Sequence, residues 1–228
     1  MVDHSRGYLG AKSGSGVYQA IIAQMPPHDT YIETHLGTGA VMRAKPPAAR
    51  SIGVELDPAT IAAYPPPAGV ELVQGDAAAF LRGFDVAGAG RVLVYADPPY
   101  VLATRTSAKR YRFDYTDAQH RELLAELRAI AAAGAAVIVS GYPSELYAAE
   151  LAAWRTFTFQ AMTRGGPRTE QLWMSFAAGE VQHARYAGQN YTERQRIKRK
   201  AARWQAMYRA LPPGERLAIL AAILTTHE

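Results

Sequence analysis

Five short apolar runs recur along the chain with helix-length segments between them, and this cadence constrains the fold more than any other feature of the sequence. They are Thr30-Tyr31-Ile32, Ser51-Ile52-Gly53-Val54, Val70-Glu71-Leu72-Val73, Arg91 to Ala96, and Ala135 to Val139. Intervals of that length suit crossover connections between parallel strands, which bury both faces of their sheet under helices. The pattern predicts an α/β fold built on an open, mainly parallel sheet. The clearest helix runs from Asp117 to Ala133. Thr116 and Gln119 have capping-box spacing at its start, Leu123, Leu124, Leu127 and Ile130 repeat at helical period, and Gly134 stops it. Farther on, Thr156 to Met162 and Gln171 to Phe176 flank Arg164-Gly165-Gly166-Pro167-Arg168 and read as a β-hairpin closing the sheet edge. The α/β body is expected to span residues 1–179, with a basic helical extension over 180–228.

With 228 residues the chain can bury one sizeable core plus a small appendage. No window approaches an uninterrupted membrane-spanning apolar stretch, and Met1 to Lys12 lacks the apolar segment of a secretory signal, so the expectation is a soluble cytoplasmic protein without membrane partners. Cysteine is absent, which excludes disulfides, thiolate metal sites and thiol nucleophiles. None of the six histidines pairs with another at metal-ligand spacing, so no metal is expected.

Charge is unevenly placed. Residues 181–228 carry nine Lys/Arg and three Glu, a net of +6, whereas the rest of the chain is close to neutral. A near-neutral body with a basic tail points to a polyanionic partner. Within the tail, Thr192 to Ala210 reads as a helix with a Thr192/Gln195 capping box, and Pro212-Pro213-Gly214 breaks it. Ile197, Ala201, Trp204, Tyr208 and Leu211 share one face, expected to dock, while Arg194, Arg196, Lys198, Arg199, Lys200 and Arg203 occupy the others as candidate phosphate contacts. A last helix, Glu215 to Leu224, offers Leu217, Leu220, Ile223 and Leu224 for burial.

The chemistry concentrates at Asp97-Pro98-Pro99-Tyr100, directly after the fourth apolar run. An acid, two prolines and an aromatic at a strand tip form a rigid platform. It suits a flat, amine-bearing heterocycle held against the Tyr100 ring, with Asp97 and the Pro98 carbonyl accepting from the amine. The alternative is a strand end followed by a proline turn.

Upstream, the first strand runs into Glu33-Thr34-His35-Leu36-Gly37-Thr38-Gly39, where Gly37 and Gly39 let the backbone approach a ligand. Glu55 ends the second strand, 22 residues after Glu33, where an acid can accept from both hydroxyls of a ribose. Asp57 is better explained as a helix N-cap preceding Pro58. Asp76, after the third strand, either caps a helix or sits beside an adenine amine. No Gly-x-Gly-x-x-Gly or Gly-x-x-x-x-Gly-Lys-Ser/Thr run is present, which disfavours dinucleotides and nucleoside triphosphates. S-adenosylmethionine has ribose and adenine without phosphate and passes that test.

Asp97 to Tyr100, the Glu33 to Gly39 loop, Glu55, and Tyr8-Leu9-Gly10-Ala11-Lys12 together resemble the Dam-type DNA adenine-N6 methyltransferases, especially the short phage and prophage members. The resemblance covers roughly residues 7–177 and includes Arg168-Thr169-Glu170-Gln171-Leu172-Trp173 as the closing hairpin. Thr34 and His35 depart from it, standing where the family commonly has Pro-Phe.

The resemblance implies a Rossmann-like class I methyltransferase fold and transfer of a methyl group from S-adenosylmethionine to N6 of adenine in duplex DNA. Tyr8 and Lys12 would contact the methionine end of the cofactor, with Glu33, Gly37 and Gly39 forming its loop. Glu55 would take the ribose and Asp76 the adenine, with Asp97 between cofactor and target amine. The target atom is unreachable in stacked duplex, so the base would be flipped and stacked on Tyr100. Without cysteine, methylation at cytosine C5 through a thiol adduct is excluded, while cytosine N4 stays open. A methyltransferase acting on RNA or on a protein amide, and a catalytically silent nucleic-acid-binding protein, are the other readings. Leu102 to Tyr115, with Arg105, Lys109, Arg110 and Arg112, is the expected lid and DNA-contacting loop, and a short or relaxed target sequence is expected. The sequence leaves the oligomeric state open.

Overall fold

The computed structural model describes residues 12, 16–63, 65–104, 113–163, 166–179, 186–188 and 190–225. Seven strands form one sheet in the order β3-β2-β1-β4-β5-β7-β6. The strands are β1 (Thr30–Glu33), β2 (Arg50–Glu55), β3 (Val70–Gln74), β4 (Val92–Ala96), β5 (Ala136–Gly141), β6 (Arg155–Thr163) and β7 (Gly166–Met174). The first five pair in parallel, and β7 runs antiparallel to both β5 and β6. This strand order is the Rossmann-like class I methyltransferase arrangement, and all five apolar runs become its parallel strands.

The hairpin does close one edge of the sheet, but it is tighter than the sequence suggests. β7 begins at Gly166 instead of Gln171, and Thr163 is in register with Gly166. Gly166 has φ of 100°, in the left-handed region that glycine tolerates.

Strand alternation assigns the two faces. Ile32, Ile52, Val54, Val92, Val94, Ala96, Val137 and Val139 pack with Leu123, Leu124, Leu127 and Ile130 in one buried cluster. Those four come from α5 (Asp117–Ala132), which carries both halves of the expected capping box. The intervening residues Tyr31, Leu93, Tyr95 and Ile138 project to the opposite face and are also fully buried. Helix α1 (Val17–Ile22) and α2 (Ala40–Ala44) add buried Ile21, Ile22, Val41 and Met42 to the interior. Lys45, just after α2, lies 4.3 Å over the Tyr31 ring. The body's other α-helices among the described residues are α3 (Pro58–Ala63), α4 (Ala77–Gly83) and α6 (Glu145–Glu150).

The chain divides into compact units at residues 1–184 and 185–228. The second unit holds α7 (Tyr191–Ala210) and α8 (Pro213–Leu224). Its first cap differs from expectation: Asn190 accepts from the Glu193 amide at 2.9 Å, so α7 starts before Thr192 and the Thr192/Gln195 box is not used. Asn190 takes the role because its extended backbone directs its side-chain oxygen at the first free amides. Trp204 and all four apolar α8 residues singled out for burial are exposed, and neither helix has a buried residue. Helical period marks an apolar stripe but not what covers it. Among the described residues, no helix is long and apolar enough to cross a membrane.

Candidate active site at the tips of the parallel strands

Sheet register explains how the site assembles. Ala96 pairs with Val139, so one step further along, Asp97 comes beside Ser140. Gly141 pairs with Gln171, so Tyr142 comes beside Glu170 on β7. The tips of β4 and β5 and the middle of β7 therefore converge on Asp97 and Tyr100.

Around them lies one hydrogen-bonded cluster. The Lys12 ammonium stands 3.0 Å from Asp97 Oδ1 and 3.2 Å from Glu170 Oε2. It donates to the Tyr100 hydroxyl at 2.9 Å, and that hydroxyl donates to Glu170 Oε1 at 2.6 Å. Ser140 donates to Asp97 Oδ1 at 2.7 Å, so the Tyr95 hydroxyl, 2.9 Å from Ser140 Oγ, serves as the donor there. Lys12 and Glu170 are buried, whereas Asp97 keeps 16% of its side-chain surface exposed. Both contacts to Asp97 fall on Oδ1, leaving acceptor capacity at Oδ2.

Burial opposes the Lys12 charge, but Asp97, Tyr100 and Glu170 outweigh it and hold its pKa well above the usual lysine value. Burial raises the Asp97 pKa, with Lys12 pulling against it and Glu170 adding to it. Burial likewise raises the Tyr100 phenol, which stays neutral as a relay between the ammonium and the Glu170 carboxylate. Among the described residues, one cation faces two carboxylates here, an acidic excess. Tyr142 stacks on the Tyr100 ring with centroids 4.0 Å apart and planes 17° apart.

The glycine loop sits beside this cluster. Gly37 and Gly39 both have positive φ, 49° and 59°, and the Gly39 amide donates to the Leu36 carbonyl at 2.7 Å. Leu36 donates its amide to the Val54 carbonyl and lies directly over Gly53, where an added Cβ would come 2.9 Å from Leu36 Cδ2. The glycine in β2 thus makes room for the loop. Glu55 ties loop to strand: one carboxylate oxygen accepts from the Gly37 amide at 2.9 Å, the other from the Asp57 amide at 3.0 Å. Each oxygen retains a second lone pair for a ligand hydroxyl.

Other residues take structural positions. Asp57 caps α3 as expected, accepting from Ala59 at 3.0 Å. Asp76 caps α4 through Oδ1, accepting from Ala79 at 2.9 Å. Glu33 is buried; its carboxyl accepts from the Tyr31 hydroxyl at 3.0 Å, and burial pushes its pKa up to about 8. Burial also lowers Lys45, to about 8. His35 joins Thr34 Oγ1 at 2.9 Å and the Tyr115 hydroxyl at 3.1 Å, and burial holds it well below the usual imidazole range. Where the resembled family has an apolar ring, this chain has a neutral imidazole in a polar chain. Pro98 is buried.

The sequence reading missed the roles of Glu170, Ser140, Tyr142 and Tyr95. A signal existed for Glu170, which lies inside the hairpin segment that carried the resemblance. Tyr8, Arg105, Lys109, Arg110 and Arg112 lie outside the described residues. In α7, Arg196, Lys198, Arg199, Lys200 and Arg203 are exposed, while Arg194 is partly buried, which lowers its pKa. No group of three or more His, Asp or Glu arranged to hold a metal occurs among the described residues.

No model of a known protein family matches the chain, and no curated protein matches it in sequence. Among solved structures, the N-methyltransferase NodS from Bradyrhizobium japonicum is similar over 68% of this chain and 92% of its own, at 11% identity and a TM-score of 0.47. A putative RNA methyltransferase from Pyrococcus horikoshii is similar over 64% and 72%, at 12% identity and 0.39. The S-adenosylmethionine-bound amino pentose methyltransferase CalS10 from Micromonospora echinaspora is similar over 70% and 89%, at 17% identity and 0.41. At these values the fold assignment rests on the strand order itself.

Proposed function

We propose that this chain is an S-adenosylmethionine-dependent methyltransferase that modifies N6 of an adenine flipped out of duplex DNA. The observation that carries the proposal is the buried cluster in which Lys12, Ser140 and Glu170 hold Asp97 and Tyr100 side by side at the tip of β4.

The site's donor set fits the cofactor. Gly37 and Gly39 open the loop backbone, Glu55 offers lone pairs to ribose hydroxyls, and the acidic excess around Asp97 suits a ligand bearing sulfonium and ammonium charges. Asp76 stands at the α4 cap with its second oxygen available to an adenine amine. When bound, S-adenosylmethionine supplies an electrophilic methyl group.

The chain's own residues do the rest. An exocyclic adenine amine is a poor nucleophile because its lone pair is delocalised into the ring. Asp97 Oδ2 and the Pro98 carbonyl would accept hydrogen bonds from its two N–H groups and favour the pyramidal geometry that frees the lone pair, so they stabilise the transition state more than the ground state; the carboxylate is also the acceptor for the one proton the nitrogen sheds on gaining a methyl group. Tyr100 offers its face to the base. Its hydroxyl is fixed at both ends by Lys12 and Glu170, so its ring is preorganised. The exposed cations of α7 supply phosphate contacts that are insensitive to sequence.

Incubating the full chain with labelled cofactor and unmethylated plasmid DNA, followed by nucleoside mass spectrometry, tests the reading. N6-methyladenine is the expected product, lost in Asp97→Asn. Cytosine N4 methylation, or transfer to RNA or protein in preference to duplex DNA, would reassign the substrate; no transfer to any of them would refute the activity.

A further inference from the structure

Thr34 and His35, the two residues that depart from the resembled family's loop, belong to a hydrogen-bonded chain that ends on a tyrosine with no part in the reaction above. His35 stands just past the tip of β1, and its ring meets that of Tyr115 edge-on with centroids 5.7 Å apart. Its Nδ1 lies 2.9 Å from Thr34 Oγ1 and its Nε2 3.1 Å from the Tyr115 hydroxyl. Burial pushes the His35 pKa down to about 3, so the ring is neutral and carries a single N–H.

Distances set the direction of this chain. The Tyr95 carbonyl already accepts from the Thr34 amide at 3.0 Å, and the Thr34 hydroxyl lies 3.5 Å from that carbonyl but 2.9 Å from His35 Nδ1. The hydroxyl therefore donates to Nδ1. That leaves the imidazole proton on Nε2, where it donates to the Tyr115 oxygen, and His35 makes no use of the phenol's own proton. Tyr115 is only 8% exposed, and among the described residues His35 is the one hydrogen-bond partner of its hydroxyl. A buried donor that reaches no acceptor is costly.

The surroundings of Tyr115 name the acceptor. Its ring shares the core cluster with Ala77 and Leu81 of α4, the helix that Asp76 caps. Burial raises the Tyr115 phenol above its usual range, and the nearby charges of Asp76 and then Glu55 raise it further, so the hydroxyl keeps its proton. The oxygens of Asp76 and Glu55 are acceptors, suited to an amine and to ribose hydroxyls; neither can pair with an unprotonated ring nitrogen. Tyr115 supplies the donor that such a nitrogen requires.

We propose that Tyr115, oriented by His35, donates a hydrogen bond to a ring nitrogen of the cofactor's adenine and so helps to select the adenosyl group. Tyr115 is a binding residue in this arrangement and His35 a positioning residue. The inference rests on the S-adenosylmethionine reading above and deepens it: a carboxylate reads the amine of the nucleobase, and the phenol reads the ring beside it.

Calorimetric titration of the full chain with S-adenosylhomocysteine, the non-reacting product, and with its 1-deaza, 3-deaza and 7-deaza analogues tests this, since each analogue replaces one ring nitrogen by C–H. Tyr115→Phe should weaken S-adenosylhomocysteine about three- to tenfold. One deaza analogue should show the same loss on the wild type and less than about a twofold further loss on Tyr115→Phe. His35→Phe should weaken S-adenosylhomocysteine in the wild-type background yet add less than about twofold to Tyr115→Phe, whereas a merely structural histidine would lower affinity in both. Thermal midpoints without ligand check that the variants fold. Wild-type chain that binds all the analogues as tightly as the parent, Tyr115→Phe with undiminished affinity, or additive effects of the two substitutions would each overturn this inference and leave the cofactor reading standing. Wild-type chain that binds no S-adenosylhomocysteine would overturn both.

Discussion

Replacing Lys12 with Met removes the cation that bridges Asp97 and Glu170 at 3.0 and 3.2 Å, the one ammonium or guanidinium that pairs with them among the described residues. Breaking a buried ion pair by deleting one partner typically costs about 3–5 kcal/mol, because the remaining charge is desolvated and uncompensated. Lys12 and Glu170 are 5% and 4% exposed, so solvent screens little of this, while the partial exposure of Asp97 places the expected loss near the lower end, about 3 kcal/mol at pH 7. The variant can relieve the repulsion by binding a proton at Asp97, whose pKa is already raised. The loss should therefore shrink as the pH falls from 7 to 5, because the variant takes up that proton more readily than the unfolded chain does. Adding Glu170→Gln removes the second negative charge and should restore more than about 1 kcal/mol. The assay is urea unfolding followed by fluorescence of the buried Trp173, at both pH values, for the wild type, the single variants and the double variant. A loss under about 1 kcal/mol, a loss equal at the two pH values, or a double variant no better than Lys12→Met would each refute the reasoning.

Three other perturbations read different parts of the site. The Glu33 pKa is raised from 4.5 to about 8 by burial, so the folded chain holds a proton that the unfolded chain releases. Its contribution is fully present below pH 4.5 and is lost as pH rises to about 8; Glu33→Gln should flatten that decline in pH-dependent unfolding, and an unchanged slope would contradict it. The Tyr142 ring, 4.0 Å from Tyr100, leaves no room for an inserted base on that face. Tyr142→Ala should remove a stack worth about 0.5–1.5 kcal/mol and tighten binding of DNA with an extrudable base about two- to tenfold, whereas weaker binding would show that Tyr142 supports the base. At Gly53 an added Cβ would press Leu36 Cδ1 and Cδ2 at 3.0 and 2.9 Å, so Gly53→Ala should cost about 1–3 kcal/mol in thermal unfolding and weaken cofactor binding through the displaced loop. A fully stable variant with normal cofactor affinity would show that the loop does not rest on β2.

The sequence by itself determined what depends on neighbours within a few residues. The apolar runs became strands, Thr116 and Gln119 capped α5 from both sides, Asp57 capped α3, and the aspartate-tyrosine platform came to the end of β4. Each of these follows from side-chain period or from a hydrogen bond to an amide two or three positions away, so the residues that carry it are adjacent in the text of the chain. The Asn190 cap shows the limit of that reading, since two neighbouring residues offered cap chemistry and the backbone conformation chose between them.

Tertiary structure alone decided the composition of the cluster. Asp97 receives Ser140 from 43 residues away, Tyr100 reaches Glu170 across 70, and Lys12 bridges to Glu170 across 158. No local spacing marks such partners. They meet because β7 is inserted antiparallel between β5 and β6, which carries Glu170 to the end of the sheet where β4 and β5 stop. The apolar stripe of α8 illustrates the same division. Its period is written in the sequence, but whether a face is covered depends on surfaces brought together only when chains fold and meet.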